Sequence, residues 1–313
     1  MSTYIVRRLL ALFPVFAGVL VITFTLGYFG PGDPLRFQHG EQLPPNPEQL
    51  AMLRAYYGLD QPFHVQFGRY VWKLLHGDMG VSLSGSQRSV SESVLAGLGV
   101  SAQLGVAAAA IILALGIPLG TWAALKQNTR TDHLIVGLAS VLPTIPTFVL
   151  CPLALIIFVL QLKLIPYTHG WKGIFDSRAI LPVAILCIGP LLGVVRNMRS
   201  SVLEVLGQEY IRTARAKGLP NSRVLYKHVI RNALTPVVTN TGFMIAGLLT
   251  GAFFVEQAFG VPGYGSAYIA ALVRNDYPVI LGITIIISLF VVTSNFTVDI
   301  LYGIIDPRVR IDS

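Results

Sequence analysis

Long apolar runs separated by short polar joints dominate this chain. Six of them, 9–29, 99–125, 134–160, 179–195, 234–255 and 278–305, come near the roughly 20 residues that a helix needs to cross a bilayer. The pattern predicts an all-α polytopic membrane protein with six transmembrane helices. The 179–195 run is the shortest. The first run follows Arg7-Arg8 and lacks the small-residue cleavage site of a signal peptide, so it reads as an uncleaved span.

The polar stretches divide the chain into 1–29, an extracytoplasmic segment 30–98, a five-helix core 99–305 and a tail 306–313. Within 30–98, Asn46 and Pro47 predict the start of a helix with Leu50, Leu53 and Tyr57 on one face and Gly58 as its stop. A second helix is predicted from Pro62, with Phe63, Phe67, Tyr70 and Leu74 forming an aromatic face before Gly77. That face predicts a small core packed on the membrane domain. Shorter joints fall at 126–133, 161–178, 196–233 and 256–277.

Composition agrees with a membrane protein. Only 12% of the residues are charged and 53% are hydrophobic, against about 25% charged in soluble domains. The net charge of +8 is distributed by membrane side and comes with no nucleic-acid motif. Arg7, Arg8, Lys126, Arg130, the basic residues of 196–231, Arg308 and Arg310 fall on one side, which predicts cytoplasmic termini. The same joint touching anionic lipid is the plain alternative for its charge. Cys151 and Cys187 lie in apolar runs as packing residues, and the six histidines show no ligand spacing.

The most informative joint runs from Glu209 to Pro236. Glu209 opens it, Arg212, Arg215 and Lys217 fill its end, and Gly218 supplies a stop, which is the charge order that a helix dipole favours. Ile211, Ala214 and Gly218 recur at helical spacing, and Ala214, Ala216 and Gly218 are small enough to let another surface approach. Beyond Pro220 and Asn221, the positions Val224, Leu225, His228, Val229 and Asn232 predict a second helix leading into the next span.

Glu209 to Leu219 resembles the cytoplasmic "EAA" loop of ATP-binding-cassette importer permeases, in the form used by the dipeptide and oligopeptide family. There Ala214, Ala216 and Gly218 match the small positions, and Arg231-Asn232-Ala233-Leu234 with Pro236 closes the motif. Glu209 is followed by Tyr210-Ile211 in place of two alanines, as in the peptide subgroup. Pro31-Gly32-Asp33-Pro34, His76-Gly77-Asp78 with Gly80, Phe259 to Gly265, Asp276-Tyr277-Pro278, Asp299 to Tyr302 and Asp306 to Arg310 extend the likeness over nearly the whole chain. The long loop after the first span is similar to that of the B-type subunit.

The resemblance implies a type I importer permease that forms half of a translocation pathway in a bacterial or archaeal plasma membrane. It implies a second homologous permease subunit, two cytoplasmic ATP-binding subunits and an extracytoplasmic substrate-binding protein, with lipid around the spans. ATP and Mg2+ would sit on the ATPases, and this chain would bind no cofactor. Glu209, Tyr210, Arg212, Ala214, Arg215, Ala216, Lys217 and Gly218 would form the coupling element. In it Glu209 would cap and dock, the small residues would permit close approach, and the cations would pair with acidic ATPase residues.

Direct reading of the residues agrees that the energy comes from elsewhere. No phosphate-binding G-x-x-x-x-G-K-[ST] loop occurs, and no nucleophile elbow or metal cluster suggests an enzyme. Glu256 and Asp299 sit towards span ends, where packing suits them better than proton relay. Prolines at 118, 143, 146, 152, 182 and 190 predict kinked helices that line or bend around cavities. Gly116/Gly120 and Gly247/Gly251 predict close helix packing. A self-sufficient secondary carrier or channel, a membrane scaffold, and nickel or glutathione as cargo remain the alternatives.

Overall fold

Helix α4 (Val90–Leu125) and helix α7 (Ile180–Leu206) form the centre of the computed structural model, which describes residues 2–30, 47–83, 88–166 and 171–305. They cross at glycines. A Cβ on Gly116 would meet Val194 Cγ1 at 2.7 Å, and one on Gly120 would meet the Val195 carbonyl oxygen at 2.6 Å. The small-residue pair therefore packs within the chain, at a separation no larger residue permits. Leu104, Ile112, Cys151, Cys187, Met198 and Val202 fill one buried cluster around this crossing.

The remaining helices are α1 (Ser2–Phe29), α2 (Pro47–Tyr57), α3 (Phe63–Leu75), α5 (Arg130–Val141), α6 (Thr147–Ala154), α8 (Glu209–Ala216), α9 (Asn221–Arg223), α10 (Arg231–Phe259), α11 (Tyr264–Arg274) and α12 (Tyr277–Ile305). Among the described residues the only β pairing is an isolated bridge between Val81 and Ser89. Helix α10 packs on α7 and α12, and α1 lies against α12 at the edge of the bundle. Among its described side chains α1 turns Phe13, Leu26 and Phe29 outward, as a lipid-facing helix requires.

Several expected boundaries shift. The second run begins at Val90, not Gly99, because Ser89 accepts the Glu92 amide and caps the helix there. The fourth continues past Val195 through Arg196 to Leu206, so the joint expected from Arg196 starts later. The third run is not one straight helix. Pro143 and Pro146 interrupt it, and the pieces 130–144 and 147–161 meet at 99°, since proline removes a helix donor and restricts the residue before it. The joint expected from Glu256 to Tyr277 holds α11, which the sequence reading passed over, while Glu256 itself lies inside α10.

Among the described residues four helices, α1, α4, α7 and α12, are long and apolar enough by themselves to cross a membrane, and the bent pair is a fifth candidate. Helix α10 has the length of α12 at 29 residues but carries Asn232, Thr235, Thr239, Asn240 and Thr241 in its first half. The six runs expected as crossings thus comprise four apolar helices, one sharply bent pair and one helix with a polar half.

The aromatic face of α3 lies on α1. Phe24 meets Phe63, Phe67 and Tyr70 at centroid distances of 5.6, 5.3 and 5.4 Å, the edge and tilted arrangements that aromatic rings favour. Helix α2 starts at Pro47 and ends before Gly58, as expected; its predicted cap Asn46, along with 31–34 and 306–310, lies outside the described residues. The side chain of Asp299 lies outside them too.

Candidate functional site

Helix α8 and the turns around it make the most distinctive surface at one end of the bundle. Glu209 to Ala216 forms just over two turns, which then close on Gly218. Gly218 takes φ +73°, and its amide donates to the Arg215 carbonyl at 2.9 Å. That left-handed conformation suits glycine and strains any residue with a Cβ.

The two faces of α8 differ sharply. Ile211 is fully buried and Ala214 nearly so, both within the main apolar cluster beside Val205, Val224 and Val229. The Ile211–Ala214 face expected to dock a partner is instead turned into this chain's own core, which fixes the helix to the bundle. Outward stand Glu209, Tyr210, Arg212, Arg215, Ala216, Lys217 and Gly218. Glu209 does not cap the helix: its carboxylate sits 3.8 Å from Arg212, and the cap position is Gln208, whose side chain makes no capping bond. Both members of that pair are highly exposed, so it contributes little stability.

The mechanical setting of α8 follows from its neighbours. Helix α7 reaches it without interruption as far as Leu206, and only Gly207 and Gln208 intervene. After Pro220, α9 passes through a wide π-helical stretch, Val224–Ile230, directly into α10. A short, anchored helix thus joins two long ones. Beside it Leu125, Leu206, Arg215, Ser222, Leu225 and Tyr226 line a cavity of about 580 Å³.

Nearby, Asp132 at the start of α5 holds Arg199 of α7 through both oxygens, at 2.6 and 2.8 Å. Asp132 Oδ2 also accepts the Asn128 amide at 3.0 Å. The bend piece and α7 are therefore tied close to the α8 end. Sequence reading missed this pair, since no local pattern links residues so far apart.

Between α7 and α10 lies a second cavity, about 370 Å³, lined by Pro190, Gly193, Asn197, Asn240, Met244 and Gly247 among others. A Cβ on Gly189, Gly193 or Gly247 would touch nothing within 4 Å. Gly247 therefore does not serve the close intrachain packing expected of it. The polar signal that could have marked this face was two asparagines inside otherwise apolar spans.

At the far end of the bundle Glu256 is fully buried and organises the turn into α11. Its carboxylate accepts Ser101 Oγ at 2.5 Å and the amides of Gly265 and Ser266 at 2.8 and 3.2 Å. Those amides are unpaired donors of the α11 N-terminus, where a carboxylate is favoured. The Phe259–Gly265 stretch is thus a structural corner, and Glu256 a packing group as the sequence suggested. Asp276 works similarly, accepting Ser82 Oγ at 2.5 Å and the Leu83 amide at 3.1 Å. Among the described residues no group of three His, Cys, Asp or Glu side chains could hold a metal ion.

Comparison with known proteins agrees with this architecture. Residues 116–311 match the family described as binding-protein-dependent transport system inner membrane component, and residues 1–93 match the N-terminal part of such membrane components. The chain is 37% identical over 310 residues to the oligopeptide transport system permease protein OppB of Haemophilus influenzae, covering 99% of this chain and 100% of that protein. The OppB protein of Salmonella typhimurium matches to the same extent. The dipeptide transport system permease protein DppB of Escherichia coli is 38% identical over 338 residues, covering 99% of each. Family models over most of the chain and permease relatives over 99% of it lead to one conclusion: this chain belongs to the binding-protein-dependent inner membrane components, as a dipeptide/oligopeptide-type permease subunit of a type I ATP-binding-cassette importer, and it is not an enzyme.

Proposed function

We propose that this chain forms one half of the translocation pathway of an ATP-driven importer for dipeptides or oligopeptides, and that α8 is where a cytoplasmic ATPase engages it. The observation that carries this reading is the split character of α8. Its apolar face is buried in this chain's core while the cations Arg212, Arg215 and Lys217 beside it are exposed.

A docked helix with that anchoring acts as a lever. When two ATPase subunits close around ATP and Mg2+, the surface holding α8 moves, and α7 and α10 move with it, because Gly207-Gln208 alone joins α7 to α8 and a short turn leads from α8 into the continuous helical run 221–259. Alternating access then requires no chemistry in this chain; nucleotide favours whichever state the closed ATPase pair fits better. Arg212, Arg215 and Lys217 pair with acidic ATPase residues, Tyr210 packs in the docking cleft, and Ala216 with Gly218 allows close approach. Ala214 supports the helix from within.

The open α7–α10 face, with Asn197 and Asn240 facing a cavity, is the surface suited to the pathway shared with a second homologous permease. The end bearing α8 is cytoplasmic in this reading, as are both termini, and an extracytoplasmic binding protein delivers cargo to the opposite end.

The test is recovery of this chain from its native membrane in mild detergent, followed by identification of what stays bound. The reading expects a second permease and ATP-binding subunits, with the ATP-binding subunits lost when Arg212, Arg215 and Lys217 are reversed to glutamate. Recovery of the chain without any ATPase would remove it.

A further inference from the structure

A further cavity lies at the end of the bundle opposite α8, where α1 finishes and α12 begins. It is about 680 Å³ and opens between α1, α2, α3 and the start of α12. We propose that it holds the headgroup and upper acyl region of an anionic phospholipid from the membrane leaflet at that end.

Position comes first. Phe24 and Leu281, inside the two apolar helices, line one part of the cavity, while Tyr28 and Tyr277 line it where those helices end. Tyrosines at the ends of apolar spans mark the level of lipid headgroups. The cavity therefore straddles the boundary between hydrocarbon and water, and its occupant has both characters.

Charge selects the sign. Arg54, Arg69 and Lys73 line the polar part, and no aspartate or glutamate does so among the described residues. Asp78, 3.8 Å from Lys73 and accepting the Gly80 amide at 2.8 Å, offsets part of this charge at the rim, with both side chains about half exposed. Arg69 folds over Gly58, whose missing side chain leaves room for the guanidinium. Guanidinium and ammonium groups held over the ends of two membrane helices suit a phosphate headgroup, which they bind by charge-assisted hydrogen bonds.

One polar atom lacks a partner. The Tyr70 hydroxyl is buried without a hydrogen bond, and Tyr70 lines this cavity. Buried polar atoms in native proteins are nearly always satisfied. A phosphate or glycerol oxygen supplies the partner, and burial of the phenol, which raises its pKa, keeps it protonated as the donor. A bare phosphate ion would leave the apolar part of so large a cavity unfilled.

The test uses the assembled transporter in detergent. Native mass spectrometry would count bound phosphatidylglycerol against phosphatidylcholine, with inorganic phosphate as competitor, for wild type, Arg69→Gln/Lys73→Gln and Tyr70→Phe. The expected result is retention of phosphatidylglycerol over phosphatidylcholine, resistance to phosphate, and affinity lower by more than about tenfold in the double variant, since each cation near a lipid surface contributes on the order of a fivefold gain. Equal retention of both lipids, displacement by phosphate alone, or unchanged binding in the double variant would overturn the proposal. If that variant fails to assemble, a photoreactive phosphatidylglycerol on the wild-type complex decides: labels on α1, α3 and α12 around the cavity support the site, and labels elsewhere only contradict it.

Discussion

Gly263 faces the carboxylate of Glu256 so closely that a Cβ added to the glycine would overlap the carboxylate carbon and both its oxygens. The contact exists because the buried Glu256 caps α11 from inside the bundle. Gly263→Ala should therefore destabilise the subunit by about 1–3 kcal/mol, the range for overpacking. In a Glu256→Ala background the same substitution should cost much less, because the clashing group is gone. A thermal double-mutant cycle on the purified complex checks this; additive effects would contradict the relationship.

The tie between Asp132 and Arg199 gives a second prediction. Asp132 is almost fully buried and Arg199 about three-quarters so, and removing one member of such a pair strands the other. Asp132→Ala should cost roughly 3 kcal/mol, the low end for a broken buried pair, since Arg199 retains some water. Asp132→Ala/Arg199→Met should recover part of the loss. Midpoints of thermal unfolding measure both.

The α4–α7 crossing predicts a contrast within one helix. Gly120→Ala places a methyl against the Val195 carbonyl and should lower assembly yield and stability. Gly105→Ala, in open space on the same helix, should be neutral or stabilising by about 0.5–1 kcal/mol through helix propensity. Parallel melting curves separate the two, and equal losses would contradict the packing account.

The proposed pathway face predicts chemical accessibility. Cysteine at position 193 or 247 should react with a water-soluble maleimide in the assembled transporter, with the rate changing on ATP addition. The native Cys151 and Cys187, buried in the main apolar cluster, should not react. Asn240→Leu should lower cargo uptake while leaving assembly intact, which uptake per assembled complex measures.

Much of this fold was legible from apolar length because bilayer crossing imposes a strong, local constraint. Helices α1 and α12 cover the runs that predict them, α4 contains its run but starts earlier at Val90, and Phe63, Phe67 and Tyr70 meet α1 as their spacing suggested. The reading failed where tertiary contacts override composition. Arg196 and Arg199 look like loop residues, yet α7 continues through them because Asp132 neutralises Arg199 from another helix. Helix α11 was overlooked because it is short, and its N-terminus depends on a carboxylate from α10. On α8, periodicity located Ile211 and Ala214 on one face correctly, but periodicity alone does not say whether that face meets a partner or its own chain.

The coupling role of α8 is the central claim, and ATP-dependent uptake measures it most directly. The complete transporter is reconstituted in vesicles with its binding protein and labelled peptide, using wild type and a variant reversing Arg212, Arg215 and Lys217 to glutamate. These side chains are exposed, so insertion and folding should survive, as melting of the purified permease checks. Uptake should fall at least about tenfold, equivalent to roughly 1.4 kcal/mol of lost docking free energy, together with loss of bound ATPase. Wild-type uptake in that variant, with ATPase still bound, would contradict the account.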